Sequence, residues 1–201
     1  MASKRRIGTE QSATRALILD AAEKLMLDEG YAAVSARRVA SEAGLKHTLV
    51  HYYFPTTDDL FLAVYRRAVD KVLERLDAAL ASPKPLRAFW NYASDSSRTA
   101  LAIEFMALAN HRKVIRREIA HHLERIRHRH AEALADLVYP EIADPRTLPP
   151  IGLSVLVVGV ARALVMEAGL GISVGHAEAR AFVDRLLRAH EKRRSPPKRK
   201  P

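Results

Sequence analysis

Apolar residues recur along this chain at the spacing of helix faces. Ala16, Leu19, Ala22, Leu25 and Met26 recur at spacings of three and four. They predict a first helix from about Ser12 to Glu29, stopped by Gly30. Ser35, a good N-cap, opens a second helix that ends near Ala43. Gly44 marks a turn, and a third helix spans about Lys46 to Tyr52 and stops before Pro55. Thr57 is the expected cap of a long fourth helix, with Asp58 and Asp59 in its first turn, where the dipole favours acids. That helix runs to about Ala81, and Pro83 and Pro85 then break the chain. Pro85 opens a fifth helix to about Ala93, and Ser94 to Ser97 start a sixth that ends near Asn110. The seventh spans about Lys113 to Tyr139, with Ile115, Ile119, Leu123, Ile126, Leu134 and Leu137 on one face. Residues 140–150 hold four prolines and read as a loop. An eighth helix covers about Ile151 to Ala168 and a ninth about His176 to Arg193. Only Val155 to Val160 has strand composition, and it lies inside a helical run. The expected fold class is all-α, with nine helices.

Composition sharpens this in three ways. Of the 201 residues, 48% are apolar, enough for a sizeable core. There is no cysteine. Disulfides, cysteine metal cages and thiol catalysis are thereby excluded, and a reducing cytoplasm is the expected location. The N-terminus carries no apolar stretch of the secretory kind. The net charge of +10 suggests a polyanionic partner, but its distribution does not locate one. Residues 1–60 hold eight Lys/Arg against eight Asp/Glu, whereas residues 188–201 hold seven against one. The tail 195–201 is Pro-rich and basic, hence expected to be disordered.

Residues 36–55 read ARRVASEAGLKHTLVHYYFP. Val39 supplies the apolar residue of a leading helix, Ala40 and Ala43 the small residues of a crossing, and Gly44 the turn. Leu45 and Val50 are the apolar residues that follow. Six features in register make this a helix-turn-helix rather than a plain helical hairpin. The wider stretch GYAAVSARRVASEAGLKHTLVHYYFPTTDDLF resembles the DNA-binding domain of the TetR family of transcriptional repressors. The first helix ends in Gly30 and Tyr31, and the third in Tyr52, Tyr53 and Phe54, as in that family. The specific match covers residues 14–62, while the rest matches in length and helix count.

The resemblance implies a homodimer whose third helices enter the major grooves of a near-palindromic operator on double-stranded DNA. It also implies a C-terminal domain that dimerises through the last two helices and holds a small-molecule effector, whose binding releases the DNA. The domains are then a flexible basic arm (1–11), the helix-turn-helix domain (12–56), a ligand-binding and dimerisation domain (57–194) and the tail. Ser35 stands where the family bonds a phosphate. Arg37 matches an arginine that reaches backbone or base. Lys46, His47 and Thr48 face base edges, and His51 and Tyr52 occupy phosphate-contacting positions. Lys4, Arg5 and Arg6 resemble an arm for the minor groove, with a solubilising tail as the equal alternative. The family usually has Ser at Lys46, Tyr at His51 and a phosphate-contacting Lys at Thr57. Arg38 is expected to face solvent, and Tyr53 and Phe54 to belong to the core.

The eighth helix is nearly all apolar, but Arg162 and Glu167 interrupt it, so a buried dimer helix fits better than a membrane span. Gly152, Val155, Gly159 and Ala163 on it, with Phe182, Val183 and Leu186 on the ninth, are the expected interface. Phe89, Trp90, Tyr92, Phe105, Met106 and Met166 are candidates for an apolar ligand cavity. Glu104, Asn110 and Arg162, with Asn91, are candidate polar anchors. Ordinary core packing is the competing reading for each of these. Five of the nine histidines, His111, His121, His122, His128 and His130, are expected on the seventh helix. None are spaced for a helical ligand pair, and the one Glu-x-x-His, Glu118 to His121, has no second copy. No metal and no cofactor is expected. The reading is a ligand-responsive, sequence-specific transcriptional regulator, a repressor released by a small, largely apolar effector, and not an enzyme. The rivals are a helical-bundle enzyme using the histidine-rich helix and a non-specific nucleic-acid or membrane-surface protein driven by the basic tail.

Overall fold

The computed structural model describes residues 12–138, 144 and 146–194. Among them the chain forms α1 (Ala13–Glu29), α2 (Ala36–Glu42), α3 (His47–Tyr53), α4 (Thr57–Leu80), α5 (Pro85–Ala93), α6 (Ser96–His111), α7 (Lys113–Val138), α8 (Pro150–Gly169) and α9 (His176–Arg194). A single 3-10 turn covers Tyr31–Ala33, and no strand occurs among the described residues. The all-α class and the order of nine helices are as the sequence predicts.

Two local details, at Thr56 and at His111, differ from the sequence reading, and a third, at Asp95, refines it. The cap of α4 is Thr56, not Thr57. Its hydroxyl accepts the Asp59 N–H at 3.1 Å, and the Asp59 carboxylate accepts the Thr56 N–H at 3.0 Å. This reciprocal pair satisfies two donors that the helix start would otherwise leave open. Asp95, just ahead of α6, accepts the N–H of Ser97 at 3.0 Å and its hydroxyl at 2.7 Å. His111 closes α6 and does not belong to the seventh helix. The break at Arg112 needs no glycine or proline. The Arg116 guanidinium donates to the carbonyls of Ala109 at 3.1 Å and Asn110 at 3.2 Å, serving the open end of α6.

The chain divides into two compact units, one of residues up to Lys71 with Ala100–His122, the other of Val72–Thr99 with residues from Leu123 onward. The first unit thus takes in the helix-turn-helix segment and adds the start of α4, most of α6 and the start of α7. Ile18, Leu19, Ala22, Leu25 and Met26 of α1 are buried, as are Val39, Ala40, Val50, Leu60, Phe61 and Val64. α1 packs on the 3-10 turn and on α2, and α2 packs on α3. Each fully buried Leu or Ile contributes about 1.5–3 kcal/mol, so this segment is held by its apolar faces.

The second unit is built around Leu76, Phe89, Tyr92, Ala93, Leu134, Val138 and Ala161. The Tyr92 hydroxyl and His130 Nε2, both buried, lie 3.1 Å apart, so each polar group has a partner in the core. α5 packs on α8. α9 is tied to α5 by Arg87, which donates to Asp184 at 2.7 Å and to Glu191 at 2.6 Å. By length and composition α8 could cross a membrane. It carries a buried Ser154, and its Glu167 accepts from His176 at 2.7 Å.

Candidate nucleic-acid interface

The turn between α2 and α3 has the backbone that the sequence implies. Gly44 has φ +66, and a Cβ placed there would meet no atom within 4 Å. Glycine is needed there for the left-handed backbone alone, not for space. The Ala43 N–H bonds the Val39 carbonyl at 2.9 Å, and the Leu45 N–H the Ala40 carbonyl at 2.8 Å. Val39, Ala40 and Val50 are buried, so the apolar faces of the two helices set the register in which they cross.

That register decides which residues of α3 meet solvent. His47, Thr48, His51 and Tyr52 are exposed, Leu49 and Tyr53 half-buried, and Val50 buried. The exposed four lie at i, i+1, i+4 and i+5, one face of a helix. His47 and His51 stand edge to face with ring centroids 6.4 Å apart. Lys46 is exposed and is the N-cap residue of α3, which begins one residue later than expected, and it makes no side-chain capping bond. A serine would accept an N–H there, whereas an ammonium has no acceptor lone pair.

Ser35 caps α2, its hydroxyl accepting the Arg38 N–H at 3.3 Å. Arg37 is exposed beside it. Arg38 is engaged elsewhere, its two terminal nitrogens donating to Glu29 at 2.7 and 2.6 Å. The guanidinium beside it holds the Glu29 carboxyl below the usual carboxylate range. Tyr53 and Phe54 serve the core side. The Tyr53 hydroxyl lies 2.7 Å from Ser12 Oγ at the start of α1, and Phe54 sits 5.3 Å beneath the Arg15 guanidinium. Lys4, Arg5 and Arg6 lie outside the described residues.

The even charge count of this segment hides an asymmetry. Asp20 and Glu23 are bound by Arg67, Asp28 and Glu42 by Lys24, Glu29 by Arg38 and Asp58 by Arg112. Asp59 is used in the cap of α4. Every described carboxylate up to residue 60 is therefore occupied, and none lies on α3 or on the turn before it. Arg37 and Lys46 form no ion pair among the described residues. Net-charge counting misses this because it cannot see which charges cancel locally. The Lys24 ammonium is accordingly pushed above the usual lysine value, first by its hydrogen bond to Glu42.

The other sequence candidates fall on both units. Of the pocket candidates, Glu104, Phe105, Met106 and Asn110 lie in the first unit and Phe89, Trp90, Tyr92, Arg162 and Met166 in the second. Phe89 and Phe105 are fully buried, Phe105 with its ring 5.1 Å from that of Tyr65, while Met106 and Met166 are exposed. Glu104 is engaged by the backbone, accepting the Tyr31 N–H at 2.8 Å, a role nothing in the sequence signals. Of the interface candidates, Val155, Gly159, Ala163, Phe182 and Leu186 are exposed, and Gly152 and Val183 are half-buried. No three His, Asp or Glu side chains converge as a metal site among the described residues.

Residues 18–64 match the family model described as bacterial regulatory proteins, tetR family. No curated protein sequence matches the chain. Among solved structures, a proposed TetR-family transcriptional regulator from Rhodococcus sp. is similar at 19% identity and TM-score 0.70, over 90% of this chain and 98% of that one. A proposed transcriptional regulator from Saccharomonospora viridis, in complex with choline, is similar at 20% identity and TM-score 0.71, over 90% and 95%. The multidrug binding protein EbrR, complexed with imidazole, is similar at 24% identity and TM-score 0.58, over 94% and 99%. At these identities the likeness is one of fold. Residues 18–64 thus resemble the tetR-family regulatory domain, and the chain has an all-helical fold similar to that of these solved regulators.

Proposed function

We propose that this protein is a dimeric, ligand-responsive transcriptional regulator that binds a near-palindromic DNA operator and acts as a repressor, not an enzyme. The observation that carries the reading is the exposed face of α3, His47, Thr48, His51 and Tyr52. It is preceded by Lys46, and the nearby carboxylates are tied up in ion pairs or a cap. Such a face suits a major groove, where Lys46 can reach guanine O6 and N7 and His47 and Thr48 other base edges. Ser35, Arg37, His51 and Tyr52 would fix register on the phosphates, and Lys4, Arg5 and Arg6 would follow a minor groove.

Dimerisation is supported by the apolar groups that α8 and α9 leave exposed. Val155, Leu156 and Val160 on α8 and Phe182 and Leu186 on α9 are at least 42% accessible. A helix of this hydrophobicity left open in one protomer is covered at lower cost by a second copy than by water. The same covering accounts for α8 without a membrane, and the location is the cytoplasm. The effector is a small molecule, taken up by the helices of residues 57–194. That similar proteins hold choline and imidazole is consistent with such a site. The effector is taken to be largely apolar, a character that the aromatic Phe89, Trp90 and Tyr92 of α5 suit.

The test is selection from sheared genomic DNA at physiological salt with excess competitor, followed by sequencing of what is retained. A few enriched fragments sharing an inverted repeat are expected. Uniform retention, lost when residues 192–201 are deleted, would instead establish non-specific binding by the basic tail.

A further inference from the structure

Helix α6 grips the turn that leads into α2. The Glu104 carboxylate accepts the Tyr31 backbone N–H at 2.8 Å, across 73 positions of sequence. The Tyr31 ring stacks on His111 with centroids 6.4 Å apart and planes at 29°. Glu104 and His111 are two turns apart on α6, hence on one face of it. The residue just before this backbone is also restricted in kind. Gly30 has φ 84 and ψ 163, a region nearly closed to other residues. A Cβ there would stand 3.4 Å from Glu104 Oε2.

This grip differs from the other contacts of the α6–α7 corner. Arg112 pairs with Asp58, and Glu118 with Arg66, so both of these reach α4. Glu104 and His111 instead hold the segment from which α2 departs, and α2 carries α3 by packing. A displacement at Tyr31 therefore moves both helices of the helix-turn-helix together. In a two-fold dimer, the position of the two recognition helices sets the separation of the half-sites that are read.

We propose that Glu104, assisted by His111, is a positioning residue that sets the half-site spacing this regulator selects. The proposal rests on the dimeric DNA-binding reading above. A carboxylate receiving a backbone N–H is a charge-assisted bond, stronger than a neutral one and directional. Glu104 suits this task because it constrains the backbone while leaving every candidate DNA-contacting side chain untouched.

The experiment takes the inverted repeat retained by the wild-type protein and builds a library with its two halves separated by graded spacers. Binding is compared for wild type, Glu104→Ala, Glu104→Gln and His111→Ala, each at equal concentration of folded dimer. Wild type should favour one spacing sharply. Glu104→Ala should reduce the preference over the neighbouring spacings about tenfold, the scale of one hydrogen bond to a charged group. Glu104→Gln, whose amide oxygen still accepts the N–H but without the charge, should keep more of the preference than Glu104→Ala does. His111→Ala should broaden it to a smaller degree, and it reads the same grip should Glu104→Ala fail to fold. A merely structural role would lower binding equally at all spacings. An unchanged profile in Glu104→Ala and His111→Ala therefore overturns the proposal. A wild-type protein that retains no inverted repeat overturns the regulator reading itself. Amide exchange at Tyr31 separates the two failures. Faster exchange in Glu104→Ala than in Glu104→Gln establishes the contact, and equal exchange removes it whatever the DNA does.

Discussion

At the scale of single residues, the interface depends on which charges are left over. Arg38 and Arg37 are adjacent and both exposed, yet Arg38 is held in a fork by Glu29 and Arg37 is not. The sequence alone assigns Arg38 to solvent. It does not name Glu29 as the partner, because the pair joins two helices. Lys46 gives the sharpest test. If its ammonium meets a guanine edge, Lys46→Ala should weaken binding to the selected operator by ~1–3 kcal/mol and leave random DNA nearly unaffected. Fluorescence anisotropy on both DNAs separates the cases. Equal weakening on both would reduce Lys46 to a phosphate contact, with a salt slope lowered by about one ion per protomer.

At the scale of elements, the helices were legible because each is long and amphipathic or is bounded by Gly, Pro or a cap. What escaped were features too short or too distant for periodicity to register. The 3-10 turn over Tyr31–Ala33 is too brief for any pattern. The sequence places the break between α6 and α7 near residues 110–113 but does not show Arg116 reaching back to the carbonyls of Ala109 and Asn110 there. The cap of α4 was readable in principle. Thr56 has Asp59 three residues on, the spacing of a capping box, whereas Thr57 has Leu60. Thr56→Ala should therefore cost about 1 kcal/mol and lower Tm by about 2–4 °C, with Thr57→Ala nearly silent in calorimetry. Equal losses for the two would show that the cap is shared. The start of α7 carries a pH dependence. Its Glu118 carboxyl is held below the usual range, first by the hydrogen bond from Arg66 at 2.8 Å. A depressed folded value means that this stabilisation is present above the unfolded carboxyl value of about 4.3 and is lost as pH falls through the folded one. Arg66→Ala should shift the Glu118 titration upward in NMR and flatten the acid side of the stability profile.

At the scale of the whole molecule, the two units present contrasting surfaces. The first has its described carboxylates up to residue 60 engaged and Lys46 open at the turn before α3, which suits a polyanion. The second exposes apolar side chains in number, Phe182 at 54% and Leu156 at 55% among them. The sequence could place these residues on α8 and α9 but could not say they were uncovered, because a buried core helix and an interface helix share one composition. A stable dimer buries about 800 Å² per partner, which the exposed faces of two helices of 19 and 20 residues can supply. Phe182→Glu together with Val155→Glu would put four carboxylates into a dimer interface, two from each copy, and each would have to be desolvated without a partner. Sedimentation at micromolar concentration should then find a helical monomer where wild type is a dimer. Operator affinity should fall steeply, because a single helix-turn-helix reads one half-site and loses the effective concentration that pairing confers. A double variant that sediments as the wild type does would place the contact between copies somewhere other than α8 and α9. A wild-type protein already monomeric would remove the two-fold symmetry on which a near-palindromic operator depends.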